Sequence, residues 1–159
     1  MSPFPPLAFV TLRSTGSDPR VDDLTDLAVA RVTARRVDFF AAHIRPAIPR
    51  MPRFGVMELA LPDALDVARA LLRGCVLVAF DAASTRAMLD GTCDFLGVAR
   101  IGFDPRSLDV RSLVWPYVPG ARTLADVRAA LGFDEVADVA IGDLRSLVDV
   151  YRELVEVAS

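Results

Sequence analysis

Lysine is absent: all 18 basic side chains are arginine, set against 21 acidic ones and a net charge of −3. A chain with that balance lacks the overall positive field by which proteins grip nucleic acid through phosphate neutralisation, so any such binding has to be local. The arginine-only bias, alongside abundant Ala, Val, Leu and Asp, reads as genome composition. One histidine, His43, and two cysteines without C-x-x-C spacing, Cys75 and Cys93, exclude a zinc site and leave two buried, reduced thiols as the expectation. No apolar run approaches the ~18 residues of a membrane helix. The opening MSPFPPLAFV has no basic n-region, and its prolines break any signal-peptide core. A cytoplasmic protein with no membrane partner is expected. What is present is 159 residues, 53% hydrophobic and 25% charged, which rules out disorder and suffices for a single domain over 1–159 with a core of its own.

The hydrophobic pattern changes period along the chain. LAFVTL (7–12) is a continuous apolar strand stopped by the Gly16-to-Pro19 turn; Leu24 to Val32 and Arg36 to Ile44 follow as strands joined by a Thr33-Ala-Arg-Arg hairpin turn. These three predict an antiparallel meander. RPAIPRMPRFGV (45–56), with three prolines and three arginines, is a surface connection. From Leu61, Leu65, Ala68, Leu71 and Leu72 recur at helical spacing until Gly74; CVLVAF is a strand covered on both faces; Ala87, Met88, Cys93, Phe95 and Leu96 fit a second helix ended by Gly97. SLDVRSLV (107–114) is a short strand running into a turn or helix, and LADVRAALG (124–132) a short helix. A last helix begins near Asp143, with an apolar face of Leu144, Leu147, Val148, Tyr151, Leu154 and Val155 and the i, i+4 pairs Arg145/Asp149 and Arg152/Glu156. The sum is an α/β protein: a mixed sheet, antiparallel through its first three strands and parallel thereafter, covered by helices.

Five stretches, in this order, carry a resemblance. FVTLRSTGSDP has the frame of a strand bearing D-x-E-T-T-G with an Asp-Pro loop. RPAIPRMPRFGV leads to Phe54-Gly55-Val56 where a His-Gly-Ile would stand. VLVAFDAASTRAMLDGTCDFLGV follows V-L-V-A-H-N-A-x-F-D and its helix. SLDVRSLV matches the next segment, with a non-catalytic Asp109, and DVAIGDLRSLVDVYREL the final His-x4-Asp and helix. Nearly the whole chain thus resembles the DnaQ-like DEDD 3′-to-5′ exonucleases of the DEDDh subgroup, the group of the proofreading epsilon subunit of bacterial replicative polymerases. The resemblance implies a ribonuclease H-like fold.

Such enzymes hydrolyse phosphodiesters with two divalent metals held by four carboxylates, and a histidine helps activate the water. Carried across, those positions fall on Thr11, Arg13, Thr85, Asp138 (the histidine) and Asp143, so a single carboxylate ligand stands in place. A guanidinium where two dications belong repels them, and threonine hydroxyls are poor ligands. No metal or other cofactor is expected, and Arg13 is expected to pair with Asp143, and with Asp138, across the contact between first strand and last helix. The resemblance marks Arg13, Thr15, Phe54 and Asp81 as the positions for contacting nucleic acid.

Bland readings accompany each feature: a helix N-cap for Asp143, a solvated loop for Arg35, Arg36, Arg45, Arg50 and Arg53, a core cap for Trp115 and Tyr117, a structural role for His43. The leading expectation is a catalytically degenerate exonuclease-fold protein that binds single-stranded nucleic acid, a nucleotide or a protein. One alternative is an active Mg- or Mn-dependent exonuclease on DNA or RNA with ligands relocated to Asp81, Asp138 and Asp143, helped by Asp18 or Asp109. The other is a self-associating interaction domain, a homodimer through the Trp115 loop. With no tail after Ser159, a stable tie to a replicative polymerase is not expected.

Overall fold

A computed structural model describes residues 5–45, 57–134 and 140–157. The meander is present: β1 (Leu7–Ser14), β2 (Leu24–Val32) and β3 (Val37–Ile44) pair antiparallel. Thr33 closes the β2–β3 turn, its N–H donating to the Arg36 carbonyl at 2.9 Å. β1 runs two residues beyond the expected end because Arg13 and Ser14 still pair with β2, opposite Asp26 and Leu24 across a bulge. A two-residue strand that the pattern did not predict, β4 (Glu58–Leu59), lies parallel to the end of β3.

Helix α1 (Leu61–Leu72) crosses to β5 (Val76–Ala79), parallel to β1; α2 (Ala82–Leu96) then crosses to β6 (Ser107–Asp109), parallel to β5. The sheet order is β4-β3-β2-β1-β5-β6. Gly74 and Gly97, at φ 73° and 66°, take the left-handed conformation that follows α1 and ends α2. Three helices complete the chain: α3 (Val110–Val114), α4 (Leu124–Ala130) and α5 (Ala140–Val157).

Strand alternation divides the apolar residues between two cores. Ala8, Val10, Leu27, Val29 and Leu77 meet α1 and α2 on one face; Phe9, Ala28, Ala30 and Val78 meet α3, α4 and α5 on the other. Both cysteines are buried free thiols in the first core, and burial raises the pKa of each, which keeps them protonated. On α5 the buried stripe is Leu144, Leu147 and Val150, with Val148, Tyr151 and Leu154 at its margin. Val155, which the spacing assigns to that stripe, is 47% exposed, while its neighbour Leu154 packs at the core margin. Phe95 and Leu96 are likewise exposed, and α2 buries Ala82, Met88, Leu89, Thr92 and Cys93 instead. No described helix is long and apolar enough to cross a membrane.

The β1–β2 turn is tied to itself and to α2. The Asp22 carboxylate accepts from the Thr15 hydroxyl at 3.3 Å and the Asp18 N–H at 2.9 Å. Pro19 lies so close to α2 that a Cβ added at Gly91 would stand 2.4 Å from the proline Cγ. In an open helix Gly→Ala gains ~1 kcal/mol. At this contact overpacking costs ~1–3 kcal/mol and reverses the sign. Gly91→Ala is therefore expected to lower the melting temperature by a few degrees, and adding Pro19→Gly to recover part of the loss. A melting temperature raised by Gly91→Ala alone would show that the turn yields freely.

Candidate functional site

The end of β1 and the start of α5 form the site. Phe9, Thr11 and Arg13 alternate onto the α5 face of the sheet, since Phe9 packs in the α5-side core and their β2 partners are Ala30, Ala28 and Asp26. Buried Ala28 and Ala30 leave room for the helix to lie close. Near its far end Tyr151 meets Phe9 edge to face, with ring centroids 5.2 Å apart; near its start Asp143 meets Arg13. Four strand residues rise ~13 Å and eight helical residues ~12 Å, so β1 and α5 run antiparallel with matched lengths, and both contacts close at once.

At that junction Arg13 Nε donates to Asp143 Oδ2 at 2.6 Å, with each side chain about one-third exposed (33% and 33%). The expected pair between Arg13 and Asp143 is present. Its charge-assisted geometry falls in the short range typical of such bonds. Asp143 is not the N-cap: α5 begins three residues earlier, at Ala140, so the carboxylate stands within the first turn, where the helix dipole favours a negative charge. Asp138 and Phe54 lie outside the described residues.

The other predicted positions among the described residues make local contacts. Thr85 is in the first turn of α2, its N–H donating to the Asp81 carbonyl at 3.0 Å. Asp81 is the N-cap of α2, accepting from the Ser84 N–H at 2.9 Å. Asp109 caps α3 through the Ser112 N–H at 2.8 Å and reaches the Ala82 N–H at 2.9 Å, locking the two helix starts together. The Thr15 hydroxyl, besides donating to Asp22, accepts from the Asp23 N–H at 3.0 Å. Asp18 is bound into the same turn, through the Arg20 N–H.

A second polar contact, unforeseen from the sequence, adjoins the first. Arg13, Asp26 and His43 occupy one cross-strand row over β1, β2 and β3, and His43 Nδ1 meets Asp26 Oδ1. Paired, roughly opposite residues on strands share a face, so the register alone aligns them; only the pairing, absent from a one-dimensional pattern, could reveal it.

The donor set does not suit two divalent cations. Among the described residues no three of His, Cys, Asp and Glu gather closely enough to hold a metal ion. The carboxylate oxygen nearest to Arg13 is already engaged, and the pair is neutral overall. At an effective dielectric of ~20, a unit charge 4 Å from a dication contributes ~8 kcal/mol; the attraction of Asp143 is offset by a repulsion of similar size from Arg13.

The fold is similar to that of the nuclease domain of 3'hExo, a DEDDh family member solved with bound rAMP: TM-score 0.70 and 14% identity over 98% of this chain and 94% of that one. The chain has the DnaQ-like DEDDh exonuclease fold. Exonuclease I from Methylocaldum szegediense matches at TM-score 0.63 and 16% identity, covering 95% of this chain and 40% of its own. An E. coli exonuclease I–single-stranded DNA complex with zinc matches at TM-score 0.65 and 12% identity, covering 98% and 41%. This chain thus spans about two fifths of the length of the exonuclease I chains. No family model and no curated protein matches the sequence.

A double-mutant cycle on Arg13→Ala and Asp143→Ala, read by denaturant unfolding, is expected to give a coupling of about 1–2 kcal/mol, between exposed pairs and buried charge-assisted bonds. A coupling indistinguishable from zero would remove the pair as a determinant of the β1–α5 junction.

Proposed function

We propose that this protein is a catalytically silent member of the exonuclease-fold group, retained as a binding module for single-stranded nucleic acid or a nucleotide. The observation that carries the proposal is the Arg13–Asp143 ion pair, which fills with one cation and one carboxylate the place where the resembling enzymes gather carboxylates around metals. Fold does not by itself transmit activity; the side chains at the site do. Thr11, Arg13 and Thr85 supply one positive charge and two hydroxyls. That set is suited to hold a phosphate by hydrogen bonds and charge, and unsuited to activate water through a metal.

Binding, as opposed to a purely structural role, is supported by where the cation stands. Arg13 is at the carboxyl end of β1, the sheet edge where α/β proteins bind ligands, and it keeps one-third of its side chain exposed. The structural neighbours named above were solved with rAMP and with single-stranded DNA. The net charge of −3 limits the contact to a few phosphates. A relocated metal site finds little support: Asp109 spends both carboxylate oxygens on the starts of α3 and α2, Asp81 spends one on its helix cap, and Asp18 is bound into a turn.

The test is an end-labelled single-stranded DNA and RNA assay with Mn²⁺, using wild-type protein and an Asp143→Ala preparation purified identically. No shortening above the Asp143→Ala background is expected, whereas salt-sensitive binding of the intact strand is, with Arg13→Ala weakening it several-fold. Stepwise 3′ shortening that the Asp143→Ala change abolishes would overturn the proposal.

A further inference from the structure

The carboxyl ends of β5 and β6 open onto a second cleft, of about 320 Å³, lined by Asp81, Asp109, Arg111, Ser112 and Trp115. It shares no residue with the Arg13–Asp143 pair. Its volume lies at the small end of ligand sites, ~300–1,000 Å³, and suits one small planar molecule. The walls are fixed: Asp109 ties α3 to the start of α2, while Val110 and Val114 anchor α3 in the core at 0% and 1% exposure.

Trp115, expected to cap the core, is instead 55% exposed at the end of α3. An indole left half in water beside a cleft is an unfilled stacking face. Arg111 begins the same turn of helix, and its guanidinium makes no ion pair among the described residues. Asp81 uses only Oδ1 for its cap. Three chemistries therefore converge: a flat aromatic surface, a carboxylate with acceptor capacity, and an uncommitted guanidinium.

A bare anion would be repelled by two carboxylates, and a bare cation by Arg111. A planar heterocycle that carries N–H donors and a phosphate satisfies all three. We infer that this cleft is a binding subsite for a single nucleoside monophosphate. The base stacks on Trp115, amino, imino or ribose donors reach Asp81, and the phosphate pairs with Arg111. The inference does not rest on catalytic silence at Arg13, and the two fail independently.

Trp115 is the sole tryptophan, so its emission reports on this cleft alone. Titrating the full chain with guanosine and adenosine 5′-monophosphate is expected to quench that emission saturably, with matching heats by calorimetry. Guanosine without phosphate should bind more weakly, and ribose 5-phosphate not measurably. By calorimetry, Trp115→Leu should weaken binding about 5- to 150-fold, the range that base–aromatic stacking spans, with Trp115→Phe in between. Arg111→Ala should reduce the monophosphate to the affinity of the nucleoside. Circular dichroism confirms that each variant is folded. The inference is overturned by no response at millimolar mononucleotide, by binding that survives both Trp115→Leu and Arg111→Ala, or by a response to methylated ammonium ions in place of nucleotides.

Discussion

One hydrogen-bonded ion pair, Arg13 Nε to Asp143 Oδ2 at 2.6 Å, joins the first strand of the sheet to the last helix of the chain, 130 residues apart in sequence. Its consequences reach beyond local charge. Closing so long a loop is entropically costly and has to be offset at the point of contact. The α5 helix meets that cost through Leu144, Leu147 and Val150 packed on a floor of Ala28 and Ala30, and through the Tyr151–Phe9 ring contact. The ion pair adds direction to that burial. It falls in the first turn of α5, beside the end of β1.

The same pair decides what chemistry the sheet edge supports. In an exonuclease-fold protein the end of β1 is a place for anionic oxygens that hold dications. Here it carries a cation whose partner is already in bonding contact. On the proposed reading, the electrostatic sign of the site changes from metal-attracting to near neutral. A positive group at a strand end, partly open to water, suits recognition.

Much of this was legible in the sequence because periodicity and local chemistry specify it. The meander follows from three apolar runs and a Thr33 turn; the helix stops at Gly74 and Gly97 follow from their tolerance of positive φ; and the Arg13–Asp143 contact follows from collinear resemblance of the motifs around both residues. What escaped depends on pairing in three dimensions. β4 is two residues long and has no period to detect. The Asp26–His43 contact arises from strand register. Asp149 was matched to Arg145 by helical spacing, yet its nearer partner is Arg128 of α4, at 3.0 Å against 3.8 Å. Arg128 is buried, also donates to the Asp134 carbonyl and stacks over Phe133. The proline-bracketed setting of Trp115 and Tyr117 predicts core caps, but Val110 and Val114 fill that core and both rings are exposed.

Cationic Arg13 is proposed to leave the β1–α5 junction without affinity for the ions that phosphodiester cleavage requires. Isothermal titration of Mn²⁺ into the purified protein at low ionic strength addresses it most directly. The account predicts no saturable heat up to millimolar metal; stoichiometric binding of one or two ions, lost in Asp143→Ala, would contradict it.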